Sequence, residues 1–156
     1  MEMANAAQQS CRYYRMTCGL PAVVRSVEGR SDMVVVQTGA ILGITVPSAL
    51  GEAVVRDLRA RQFAVGATVG HHRSGRWTFL VRADLPASEH DHLALFARLF
   101  RLDASVVRDG AEIALPSSPR DGFRYWVADP PGDEFRPAAS VVVEAIRRVT
   151  EPSHAR

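Results

Sequence analysis

The chain reads as an α+β domain: a mostly antiparallel sheet built from hairpins, with about three helices packed on it. Three observations predict this. The β-branched runs arrive in pairs and triplets separated by turn residues, the pattern of hairpins and not of strands alternating with helices. Three other segments repeat apolar residues at helical spacing. At 156 residues and 47% apolar content, the chain can bury a core without disulfides or a structural metal.

Taken in order, residues 1–15 lack apolar periodicity, and Met16 lies just before the first turn signal. They are expected to form a disordered N-terminal extension, with the domain over 16–150 and a tail over 151–156. The stretch AVVRSVEGRSDMVVVQTGAILGITVP, residues 22–47, predicts three short antiparallel strands turning at 28–32 and at Thr38 and Gly39. Pro47 stops the third strand and Ser48 offers an N-cap for a helix over 48–62, where Leu50, Val54, Leu58 and Arg61 follow at near-helical spacing. Segments 65–69 and 77–81 predict a second hairpin with HHRSGR between them. Ser88 caps a second helix whose Leu93, Leu95, Phe96, Leu99 and Phe100 would cover a wide face on the sheet, ending near Arg101. Segments 104–108 and 112–115 flank a turn at Asp109 and Gly110, and 123–128 predicts the last strand. A final helix is expected near Pro137, a residue suited to the first helical position, and carries Val141, Val142, Ala145, Ile146 and Val149.

Charge and composition exclude several classes. Net charge is +2, too small to mark a general binder of nucleic acid or membrane surface. All 19 basic residues are arginine, a bias that GC-rich codon usage explains, although arginine is also the better fork for phosphates and carboxylates. Cys11 and Cys18 are too few for a structural zinc site or a disulfide framework. The opening MEMANAAQQS lacks the charged and apolar regions of a signal peptide, and no apolar run approaches the roughly 18 residues of a membrane span. A cytoplasmic protein with no membrane partner is expected.

Motifs for phosphate loops, nucleophile elbows and zinc peptidases are missing. Glu89, His90, Asp91 and His92 are four potential metal donors in a row, but consecutive helical residues point about 100° apart and do not converge on one ion; a solvated helix start is the expected reading. Cys18 has no base located beside it by any signature. The loop is the richest candidate. His71, His72, Arg73, Ser74 and Arg76 on a tight hairpin could hold a phosphate or carboxylate between cationic side chains and backbone N–H groups, although a plain polar turn would look similar. In the strand FRYW, Phe123 and Tyr125 share one face, and Arg124 and Trp126 the other. Arg124, Tyr125 and Trp126 therefore join the candidate anion or nucleic-acid residues, with base stacking on an exposed ring as the sharper reading.

The run RDGAEIALPSSPRDGFRYWVADPP, with Asp109, Gly110, Pro116, Ser118, Gly122 and Tyr125 or Trp126, resembles the closing segment of bifunctional primase-polymerase domains. ATVGHHRSGRWTFLVR is similar to that family's hairpin, and the likeness spans 65–146. The resemblance implies nucleotide transfer with metal ions held by an Asp-x-Asp strand and a later carboxylate. Gln37 and Gly39 stand at the Asp-x-Asp positions, Trp77 at the family's histidine, and Ser105 at the later acid. These groups cannot neutralise a divalent ion, so the resemblance implies the scaffold without its metal site. A non-catalytic binding or regulatory domain in nucleic-acid metabolism is expected, with a nucleotide, a nucleic acid such as DNA, or a partner protein as ligand. No cofactor, metal ligand or catalytic residue is assigned. Two alternatives remain: a small enzyme using the loop with Cys18 or the Glu89 to His92 cluster, and a protein-interaction domain with no nucleic-acid link.

Overall fold

In the computed structural model, which describes residues 2–85, 89–108 and 110–151, the chain runs α1 (Glu2–Met16), β1 (Ala22–Arg25), β2 (Met33–Gln37), β3 (Ile41–Pro47), α2 (Ser48–Ala60), β4 (Thr68–His71), β5 (Arg76–Arg82), α3 (Glu89–Arg101), β6 (Ser105–Val107), β7 (Glu112–Leu115), β8 (Arg124–Ala128) and α4 (Ala139–Thr150). Every pairing between these strands is antiparallel. They form a three-stranded sheet, β1-β2-β7, and a five-stranded sheet, β6-β3-β5-β4-β8. The α+β class is as expected, but two sheets replace the single one.

The layering follows from β3 and β5, whose middle residues are buried on both faces. Leu42, Ile44 and Val46 alternate with Ile41, and Phe79 and Val81 with Leu80, so successive side chains enter opposite cores. The first set packs with α2, α4 and Leu99 of α3. Ile41, Leu80 and Val69 of β4 pack instead with α1 and with Val34, Val36, Ile113 and Leu115 of the small sheet. The large sheet is thus the middle of three layers. Full burial of a residue such as Phe79 or Ile44 contributes about 1.5–3 kcal/mol. The sheets pack tightly at Gly43, where a Cβ would lie 2.9 Å from Ile113 Cδ1.

Two expected hairpins do not close. Thr38 donates both its backbone N–H and its hydroxyl to Ala111 O, at 3.0 and 2.9 Å, so the turn after β2 is tied to the approach to β7 and β3 departs to the other sheet. Likewise β6 joins β3 and β7 joins β2. The wide apolar face expected of α3 is also narrower: Leu95 and Leu99 pack inward, while Leu93 and Phe100 are 64% and 82% exposed. The proposed cap at Ser88, Asp109 of the turn, and the tail from 152 lie outside the described residues. Among the described residues no helix is long and apolar enough to cross a membrane.

The largest correction concerns the expected disordered extension over 1–15, whose described residues, 2–15, lie within α1. Ala7, Cys11, Tyr14 and Cys18 recur at spacings of four, three and four and are all buried, a helical stripe made of small residues that a search for large apolar side chains passes over. Tyr14 fastens it. Its hydroxyl donates to Pro116 O at 2.6 Å and accepts from Trp126 Nε1 at 3.1 Å, the two rings meeting edge to face. Burial pushes this phenol up to about 12. Tyr14→Phe keeps the ring but strips both groups of this partner, an expected loss of about 1–3 kcal/mol and of about 2–4 °C in melting midpoint per kcal/mol. An unchanged midpoint in a thermal melt would show that α1 is not held this way.

Candidate functional site

Strand register assembles the site. His71 is paired with Arg76 across β4 and β5 and with Arg124 across β4 and β8, and directly paired residues share a face. Three neighbouring strands therefore bring an imidazole and two guanidiniums to one row, on the side of the large sheet that faces the small sheet. Beneath them lies a recess of about 250 Å³ whose lining includes His71, Ser74, Arg76, Thr45, Thr78 and Glu112.

Each member is positioned by its surroundings. His71 Nε2 lies 3.1 Å from Thr78 Oγ1, which is 3.2 Å from Thr45 Oγ1. Arg76 donates to Thr45 O at 3.1 Å and to Asp103 O at 2.6 Å, with the Asp103 carboxylate 3.3 Å away. Asp103 is available because α3 ends in a left-handed turn: Asp103 has φ 59°, and Asp103 N and Ala104 N return to Phe100 O and Leu99 O, closing the helix. Arg124 is less well neutralised. Asp121 approaches it only to 3.9 Å, its oxygens being taken by the backbone N–H groups of Ser117, Phe123 and Arg124 at 2.9, 2.8 and 3.2 Å. Glu112, on the opposite rim, is held by Arg25 Nε at 3.0 and 3.1 Å. Burial first, then the charges of Arg124 and Arg76, hold the His71 pKa below its ordinary value. An anion placed among these groups would relieve that repulsion.

The expected site residues divide. His71, Ser74 and Arg76 line the recess, and Arg124 stands beside His71 on the same face. His72 and Arg73 are exposed on the turn. Tyr125 faces the other way, its ring lying over Gly70 and 4.4 Å from the His72 ring. Trp126 shares the face of Arg124, is partly buried against the core and donates to Tyr14. Thr45, Thr78, Asp103 and Asp121 were missed; the threonines interrupt apolar runs in β3 and β5, and that interruption was the available signal.

The enzymatic alternative gains nothing. Cys18 is buried and burial pushes its thiol up, which keeps it protonated and unreactive. His90 and Asp91 are exposed, His92 stacks on Phe96 at 5.6 Å, and the Glu89 side chain lies outside the described residues. Among the described residues no cluster of His, Cys, Asp or Glu is arranged to hold a metal. Of the positions singled out by the resemblance to primase-polymerase domains, Trp77 packs on the helical side of the sheet, Gln37 ends β2 beside Glu112, and Ser105 is paired with Thr45.

No family model matches the chain, and neither a curated protein nor a solved structure matches it.

The depressed pKa of His71 has a direction in stability. The folded state holds the imidazole neutral more firmly than the unfolded chain does, so this contribution is complete above the ordinary value of 6.5 and is lost as pH falls below it. Melting midpoints of the wild type are expected to fall more steeply between about pH 6.5 and 5 than those of His71→Gln. Parallel curves for the two proteins would contradict this.

Proposed function

We propose that the domain is a non-catalytic module of nucleic-acid metabolism that holds a backbone phosphate of a single strand at the row of His71, Arg76 and Arg124, beside the recess that His71 and Arg76 line. The observation that carries this reading is the cross-strand row: three cationic or titratable groups in register, above the hydroxyls of Thr45, Thr78 and Ser74. A recess of about 250 Å³ is smaller than the roughly 300–1,000 Å³ of most small-molecule sites; it suits one phosphate and not a whole nucleotide. The likeness to primase-polymerase domains around GHHRSGRW points to the same ligand class.

The neighbouring rim supports the strand form of the ligand. β8 is an edge strand, so one of its hydrogen-bonding edges is unpaired. Arg124 stands on the recess side, while Tyr125 and Phe123 are 38% and 63% exposed. A strand draped over this edge sets a phosphate on the arginines and a base on the Tyr125 ring, and such stacking contributes about 1–3 kcal/mol per base.

Titrating a labelled single-stranded oligonucleotide at several salt concentrations tests the reading. Arg124→Ala is expected to weaken binding and to reduce the slope of log affinity against log salt by about 0.7. Tyr125→Ala should weaken binding with the slope unchanged. Absence of binding by the wild type would overturn the proposal and favour the interaction-domain reading, for which the exposed Leu93 and Phe100 of α3 are the supporting observation.

A further inference from the structure

A larger cleft lies at the other end of β5. Four segments converge there. α1 contributes Arg15 from its last turn, and Gly19, Leu20 and Pro21 follow. β3 begins at Ile41, opposite Arg82 at the end of β5. The loop before α4 is stitched alongside by Arg82 N donating to Pro137 O at 2.8 Å, which brings in Glu134 and Arg136. Together these residues line a cleft of about 660 Å³, within the usual range for small-molecule sites.

Its charge is unbalanced. Three guanidiniums, those of Arg15, Arg82 and Arg136, share the cleft with the single carboxylate of Glu134. Arg136 is spent on the backbone, donating Nη1 to Glu134 O at 2.8 Å and Nη2 to Gly19 O, and its Nε is buried with no partner. Asp84, the nearest acid along the chain from Arg82, is drawn away to the start of α4, where it accepts from Ser140 N at 2.8 Å and Ser140 Oγ at 2.5 Å. Neither Arg15 nor Arg82 makes a side-chain hydrogen bond or ion pair among the described residues. Like charges gathered without counter-charges favour an anion from solution, and forked guanidiniums suit phosphate oxygens. Leu20, Pro21, Ala40 and Ile41 supply an apolar wall. Glu134 supplies an acceptor of the kind that takes vicinal hydroxyls of a ribose.

We infer that this cleft binds a phosphate monoester carried on a hydroxylated ring, with Arg15 and Arg82 on the phosphate, Glu134 on the ring hydroxyls and the apolar wall against the body. The site is separate from the strand-binding recess, and its occupation does not depend on that reading.

Equilibrium titration of the full chain with adenosine 5′-monophosphate, ribose 5-phosphate and inorganic phosphate tests it. Both esters are expected to bind more tightly than inorganic phosphate. The nucleotide should exceed the sugar phosphate if the apolar wall receives a base; equal affinity would assign the ligand to the sugar phosphates. Arg15→Ala with Arg82→Ala should weaken both esters by about tenfold or more, equivalent to at least about 1.4 kcal/mol. Glu134→Gln should weaken the esters and leave inorganic phosphate unchanged. Arg124→Ala, in the other recess, should change none of the three. Both mutated arginines are exposed, so the melting midpoint should hold; if it falls, Arg82→Gln replaces the double variant with the same expected direction. Lack of ester binding at millimolar concentration, or binding indifferent to Arg15 and Arg82, overturns the inference.

Discussion

The structure depends on one constraint: β3 and β5 carry large apolar side chains on both faces of their middle, and a strand of that kind must be covered twice. Antiparallel sheets commonly leave one side to water. Here Ile44 and Phe79 on one side and Ile41 and Leu80 on the other require two covering layers. Helices α2 and α4 supply one, and the small sheet with α1 supplies the other. That second cover is short, which leaves both ends of β5 open on the same face. Arg76 stands at one end and Arg82 at the other, each over a cavity.

The small sheet and α1 therefore contribute to the two cavities as well as to the core. Glu112 and Ile113 of β7 form the far wall of the hairpin recess, while Arg15 of α1 reaches the larger cleft. Tyr14 and Trp126 link α1 to β8, the strand that carries Arg124. Loosening α1 would disturb both cavities through packing alone, a reason to read binding defects in this region beside melting data.

Much of the fold was legible because period-two alternation and turn residues are local signals. The strands and the three later helices fall close to their expected segments. What was not legible is non-local. Thr38 and Gly39 look like a hairpin turn, and only the partnership of Thr38 with Ala111 shows that the chain changes sheets there. α1 was hidden because its buried stripe is alanine, cysteine and one tyrosine. On α3, composition implied a broad buried face, yet Phe100 points to solvent, since pattern does not say how much of a helix its neighbours cover.

The site divides the same way. HHRSGR announced itself, but which members act together is set by register: His71 meets Arg124 across 53 residues of chain because β4 pairs with β8, and Trp126 is lost to the core through Tyr14. The central claim is that this row is a phosphate site, and the most direct measurement is the pKa of His71 by NMR, with and without a 5′-phosphorylated single strand. The account predicts a value below the ordinary 6.5 in the free protein and a rise when the strand binds, because the phosphate offsets the charges of Arg124 and Arg76. A His71 pKa unmoved by saturating ligand would contradict it.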